Sequence, residues 1–263
     1  MESNSLEEII NKKKEILNLL KNKFKIEDLN YKIKKYNKYF DFKEKINSNL
    51  SEGKFSLIAE IKKASPSAGV IIEDYNPVTI AEIYEKNKAT CLSVLTEEDF
   101  FSGSLDHISK IKEKVNLPIL CKDFFIDKFQ IPLAKSYGAD AILLIVAALT
   151  QNQLEELYNT ALEYKMSIII EVHTVDEANR IANFKNAIIG INNRNLKTLK
   201  TDLNNTFEIY KTLNSFDGIL VSESGIKNKD DVLKISNQTN IKTFLIGESL
   251  LKNLDSNSIF SIL

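Results

Sequence analysis

Beyond residue 55 the chain alternates between short apolar runs and longer polar stretches. The runs are "FSLIAEI", "TCLSVL", "LPILCKD", "DAILLIV", "SIIIEV", "AIIGIN", "GILVSES" and "TFLIG". They are rich in Ile, Val and Leu and mostly lack strict alternation, the pattern of parallel strands covered on both faces. Helix-start signals fall between them. Asn76-Pro77 offers a cap followed by proline at the first helical position. Thr150-x-x-Gln153 and Thr174-x-x-Glu177 read as capping boxes leading into amphipathic stretches. Strand and helix alternating eight times within about 200 residues predicts an α/β fold, a (β/α)8 TIM barrel, with a doubly wound sheet as the alternative.

Residues 1–45 follow a different pattern. Ser5-x-x-Glu8 reads as a capping box, and Leu6, Ile9, Ile10, Ile16, Leu17 and Leu20 recur at helical spacing. Lys12, Lys13, Lys14, Lys21, Lys23 and Lys25 occupy much of the remainder. A basic amphipathic helix can lie on a membrane. The expectation here is that its apolar stripe packs on the barrel while the lysines stay in water. Only eight glycines and four prolines occur, with no linker-like cluster, so residues 1–263 read as one barrel domain with 1–45 as its helical extension.

Composition narrows the class. Hydrophobic residues make up 43% of the 263 and charged residues 27%, values of a folded globular chain and not of a disordered one. Thirty-five basic against 36 acidic residues leave a net charge of −1, which argues against a nucleic-acid footprint. No apolar run approaches the length of a transmembrane helix, and the N-terminus lacks the marks of a signal peptide, so a cytoplasmic location is expected. Cys91 and Cys121 lie inside apolar runs and read as reduced core thiols. With two histidines and two cysteines widely separated, no zinc-type spacing appears. A closed barrel has no free strand edge, so a monomer is the expectation.

In this architecture chemistry sits at the C-terminal ends of the strands. The first apolar run ends in Glu60 and Lys62, the third in Lys122-Asp123 and the fifth in Glu171. The sixth ends in Asn192-Asn193-Arg194, the seventh in Glu223-Ser224-Gly225 and the eighth in Gly247-Glu248-Ser249. A lone charge inside a strand is costly unless it is paired or used. Acids and bases converging on one rim therefore suggest proton transfer on an anionic substrate. The glycine and serine turns after the last two runs suit phosphate, which backbone N–H groups can hold.

With those residues collected, the chain resembles the indole-3-glycerol phosphate synthase family of tryptophan biosynthesis. The matching stretches are "AEIKKASPSAG", "LTEEDFFSGS", "ILCKDFFID", "IIIEVH", "GINNRNLKTL", "VSESGI" and "LIGESL", over about residues 5–255. The resemblance implies ring closure of 1-(2-carboxyphenylamino)-1-deoxyribulose 5-phosphate with loss of carbon dioxide and water, without metal or organic cofactor. It implies Lys122 as general acid and Glu171 as base, with Lys62 or Glu60 assisting loss of water; the division of these roles stays open. Phosphate is expected at Ser224, Gly225, Gly247 and the backbone of Glu248, with Lys62 and Ser65 contributing. Asn192 and Arg194 are expected to hold the anthranilate carboxylate or the ribulose hydroxyls, and Glu223 to support the site. Phe101, Phe124, Leu143 and Ile246 are the expected apolar wall.

One departure is Ala68, where many family members carry lysine, which implies weaker closure of the first loop. The chain ends soon after the eighth run, so no fused phosphoribosylanthranilate isomerase domain is expected. That isomerase as an alternative would need a cysteine at the end of the first run, where Glu60 and Lys62 stand. A noncatalytic barrel for a phosphorylated metabolite would be expected to have lost an acid or a base, and all four are present.

Overall fold

In the computed structural model, which describes residues 6–254 and 256–263, each apolar run becomes a strand. These are β1 (Ser56–Ile61), β2 (Cys91–Leu95), β3 (Ile119–Lys122), β4 (Ala141–Ile145), β5 (Ser167–Val172), β6 (Ile188–Asn192), β7 (Leu220–Glu223) and β8 (Thr243–Ile246). Every strand pairs in parallel with its sequence neighbours, and β8 closes on β1 from Ser56↔Thr243 to Ala59↔Ile246. The result is a closed (β/α)8 barrel. Three helices precede it: α1 (Leu6–Lys23), α2 (Ile26–Lys35) and α3 (Phe42–Ser51). One helix then follows each strand: α4 (Pro77–Lys86), α5 (Leu105–Lys112), α6 (Gln130–Ser136), α7 (Gln151–Glu163), α8 (Val175–Asn179), α9 (Asn204–Leu213), α10 (Lys229–Gln238) and α11 (Glu248–Lys252).

The start signals work as read at two of the sites. Asn76 accepts the N–H groups of Val78 and Thr79 ahead of α4, and Thr150 with Gln153 forms the reciprocal box of α7. At α8, Thr174 accepts the N–H of Glu177, but the Glu177 carboxylate reaches past the cap to the N–H of His173. Thr174-x-x-Glu177 is therefore half a capping box. Ser5, read as the cap of the first helix, lies outside the described residues.

Alternation along each strand sends one set of side chains to the helices and the other to the barrel axis. The inward set stacks in layers of four drawn from alternate strands. Cys91, Ala141, Ile188 and Thr243 form the lowest, then Ile58, Leu120, Ile169 and Val221, then Ser93, Leu143, Gly190 and Leu245. The top layer is Glu60, Lys122, Glu171 and Glu223, from β1, β3, β5 and β7. Three layers, apolar but for Thr243 and Ser93, thus carry a charged one at the mouth.

The N-terminal helices touch both ends of this stack. Phe42 and Ile46 of α3 are fully buried in the same interior cluster as Ile58 and Cys91, and so plug the lower end. Asp140, just before β4, accepts the N–H groups of Phe40 and Ile119 and pairs with buried Lys112, fixing the segment that leads into α3. At the other end Leu6 and Ile9 of α1 line the mouth. One expectation fails here. Lys13 is not solvated but 6% exposed, with Nζ 2.6 Å from Oδ1 of Asp123. It lies four residues from both Ile9 and Leu17, on the stripe that faces the barrel.

Candidate active site

The charged layer is tied together across the axis. Lys122 Nζ lies 2.9 Å from Oε2 of Glu171 and 2.8 Å from Oε2 of Glu223, although β3, β5 and β7 are not neighbours. Lys62 Nζ lies 2.6 Å from Oε1 of Glu60. A charge in the β1 core strand is tolerated because it has an opposite charge beside it. Burial pushes Glu60 up, but Lys62 and Lys122 outweigh it and hold the carboxyl below its usual range. Burial lowers Lys122, yet Glu171, Glu223 and Glu60 together raise it above an ordinary lysine. Burial likewise opposes the charge on Glu171, but Lys122 and His173 hold it well below the carboxylate range. Glu223 goes the other way: burial and the Glu171 charge push it up to about 8 against the pull of Lys122.

Two glycines make room for these carboxylates. A Cβ on Gly190 would lie 2.1 Å from Oε1 of Glu223, and one on Gly247 would lie 2.5 Å from Oε1 of Glu60. Gly247, read from sequence as part of a phosphate turn, is thus also needed to seat Glu60.

Above the layer opens a cavity of about 860 Å³, lined among others by Glu60, Lys62, Ser65, Lys122, Glu171, Asn192, Arg194 and Glu223. Ser224, Gly225, Gly247 and Glu248 line the same cavity. After β7 the chain turns through two left-handed residues, Ser224 at φ 69° and Gly225 at φ 77°. A non-glycine residue held there is strained, and such strain gathers at ligand sites. Asn193 pins the turn by donating Nδ2 to the Ser224 carbonyl at 3.1 Å. The α11 start at Gly247 and Glu248 has no side-chain cap. The Glu248 carboxylate turns to Lys252 at 2.6 Å, so only its backbone is offered to an anion.

The remaining rim residues are held by loops. Asn192 Oδ1 accepts the Arg194 N–H at 2.9 Å, and Arg194 Nη1 donates to the Leu199 carbonyl and to Ser67 Oγ. Arg194 thereby joins the sixth loop to the first. Ser65 Oγ accepts the N–H of Ala68, shaping the first loop, in which Ala64–Ser65 pairs antiparallel with Gly69–Val70. Phe101 and Phe124 stand 6.2 Å apart, centroid to centroid, tilted by 41°, and both face the cavity with Leu143. Ile246 also lines the cavity, next to the inward Leu245. Its side chain packs chiefly in the core under the helices, while Leu245 belongs to the interior cluster. Among the described residues no group of three or more His, Cys, Asp and Glu side chains is arranged to hold a metal ion.

A family model described as indole-3-glycerol phosphate synthase matches residues 6–262. The chain belongs to the indole-3-glycerol phosphate synthase family. Curated members of that name are similar throughout. The one from Prochlorococcus marinus subsp. pastoris is 46% identical over 98% of this chain and 88% of its own. That of Aliarcobacter butzleri is 42% identical over 94% of this chain and 93% of its own. Among solved structures, the tryptophan synthase alpha chain from Legionella pneumophila superposes with a TM-score of 0.61 at 10% identity, covering 84% of this chain and 94% of that one. At that identity the likeness shows the barrel fold alone. Indole-3-glycerol phosphate synthases are carboxy-lyases of tryptophan biosynthesis, and this chain is an enzyme of that kind.

Some of what this indole-3-glycerol phosphate synthase family site contains escaped the sequence reading. His173 lies between Glu171 and Glu177, with Nε2 3.2 Å from one carboxylate and Nδ1 3.4 Å from the other. Its signal was available, since it stands two residues after Glu171 and so on the same face. Gly190 and the Lys13–Asp123 pair left weaker signals, because each depends on a contact between residues far apart in sequence.

Proposed function

We propose that this chain converts 1-(2-carboxyphenylamino)-1-deoxyribulose 5-phosphate into indole-3-glycerol phosphate, releasing carbon dioxide and water. The observation that carries this reading is Lys122, held between Glu171 and Glu223 at the floor of a cavity whose rim bears the Ser224–Gly225 turn. Phosphate is held by the backbone at Ser224, Gly225, Gly247 and Glu248, with Lys62 and Ser65 near it. Asn192 and Arg194 hold the carboxylate or the hydroxyls; the planar guanidinium suits a carboxylate. The aromatic ring lies against Phe101, Phe124 and Leu143.

The ring carbon bearing the carboxylate attacks the ketone carbon, and the carbonyl electron pair moves to oxygen. Lys122, kept cationic by its carboxylates, stabilises that oxygen and supplies its proton. Carbon dioxide leaves and returns the bonding pair to the ring. The new hydroxyl departs as water with a proton from Lys62, which Glu60 holds in place, and a proton lost from the closed ring goes to Glu171. A carboxylate flanked by two cations is a weak base. When Lys122 turns to the substrate oxygen, Glu171 loses one of them and its basicity rises. Glu223 supports Lys122 from the opposite side.

The test is direct. The chain contains no tryptophan, so appearance of indole fluorescence on adding the substrate is read against a low background. Turnover is expected, and Lys122→Met should lower kcat by about 10²–10⁴-fold with the fold intact. A well-folded wild type that yields no indole signal overturns the reading.

A further inference from the structure

Glu171 and Glu223 are alike in type, both buried and both bonded to Lys122, yet of the two Glu171 alone also faces an imidazole. His173 Nε2 is 3.2 Å from Oε1 of Glu171, and Nδ1 is 3.4 Å from Oε2 of Glu177. Among the described residues neither ring nitrogen has a well-aligned hydrogen-bond partner, so the ring stands at ion-pair distance from both carboxylates without a directed bond to either. A neutral imidazole would turn a lone pair toward one of them, whereas an imidazolium presents N–H to both.

Glu177 is itself fixed. Its Oε2 accepts the His173 backbone N–H at 2.7 Å, and its own N–H donates to Thr174 Oγ1 at 3.2 Å. The helix-start signal of α8 therefore also aims a carboxylate at the ring. From α9, Asn205 donates Nδ2 to the His173 carbonyl at 3.1 Å. Asn205 is neutral, so Glu171 on β5 and Glu177 on α8 are the charged groups that face the imidazole.

We propose that His173, backed by Glu177, is a positioning residue that makes Glu171, and not Glu223, the ionised carboxylate beside Lys122. Glu171 then has Oε2 on the ammonium and Oε1 against the imidazolium, fixed in orientation as well as in charge. Among the described residues Oε1 of Glu223 has no hydrogen-bond partner, and the proton of the crowded pair rests there. Burial lowers His173, but the two carboxylates outweigh it and raise it to about 9, in keeping with a charged ring at neutral pH. His173 delivers no proton to substrate; it acts through Glu171. This deepens the reading above, in which Lys122 and Glu171 carry the proton chemistry.

Two measurements test it. The chain has only two histidines, so NMR titration of the imidazoles resolves both, with His173→Asn assigning them. His173 is expected to titrate near 9 and His107, lowered by burial, below 6.5. In Glu177→Gln the His173 midpoint should fall by about one pH unit or more. In kcat/KM profiles, His173→Asn should move the acid limb up by about one unit, and Glu177→Gln should move the alkaline limb down. The NMR arm needs no turnover, so failure of the functional reading and failure of this proposal are separable. A His173 that titrates at or below 6.5 overturns the proposal. So does a His173→Asn profile that is scaled down with both inflections unmoved.

Discussion

The unit of this active site is a side chain matched to the space beneath it. Glu223 and Glu60 reach the axis because Gly190 and Gly247 lack a Cβ. Gly190→Ala should push the Glu223 carboxylate off Lys122, at an overpacking cost of about 1–3 kcal/mol. Its kcat should fall well below wild type, with a lowered Tm; unchanged kcat would mean that Glu223 tolerates displacement. Charge makes its own demand. The folded value of His173, about 9, lies above the unfolded 6.5. Its contribution to stability is therefore complete below 6.5 and lost as pH rises through 9. The Tm difference between wild type and His173→Asn should shrink over that window, which thermal melts at a series of pH values will read. The residues Glu60, Lys62, Lys122 and Glu171 were legible in the sequence because a charge inside an apolar run is conspicuous. Gly190 was not, because a glycine in a strand gives no sign of which side chain fills its space.

Elements act here through the contacts they hold at a distance from their own sequence. The helix α1 spans the mouth, and its buried Lys13 pairs with Asp123, the residue after Lys122. Asp123 also takes the Thr96 hydroxyl at 2.7 Å and the Phe124 N–H at 2.7 Å. Glu97, beside it, accepts the N–H groups of Asp99, Phe100 and Phe101. One lysine therefore ties α1 to both loops that carry the aromatic wall. Lys13→Met should raise KM about tenfold, near 1.4 kcal/mol, more than it lowers kcat. Faster proteolysis within α1 should accompany it; Lys12→Met, exposed and paired with Glu15, is the control. The apolar stripe of α1 was readable from its spacing. That a lysine would join the stripe was not, since its partner lies over a hundred positions away.

At the scale of the molecule, the barrel is closed below by α3 and charged above. Phe42→Ala removes a fully buried ring from the lower plug and should cost about 3–5 kcal/mol, measurable by urea unfolding. Because the mouth is far from α3, kcat in the folded fraction should stay near wild type. What the sequence determined by itself was the strand–helix alternation, and with it the barrel. The period of apolar runs and the caps between them are local, and eight parallel strands with buried faces close in few ways. It also marked which strand ends carry chemistry. What only the tertiary structure decided was which of those ends share a layer. Strand tilt and stagger bring β1, β3, β5 and β7 to one height, so Lys122 meets Glu171 and Glu223 across the axis and not along a strand pair. The same stagger puts a glycine beside Glu223, another beside Glu60 and a histidine beside Glu171, relations set by register and invisible in any single stretch of chain.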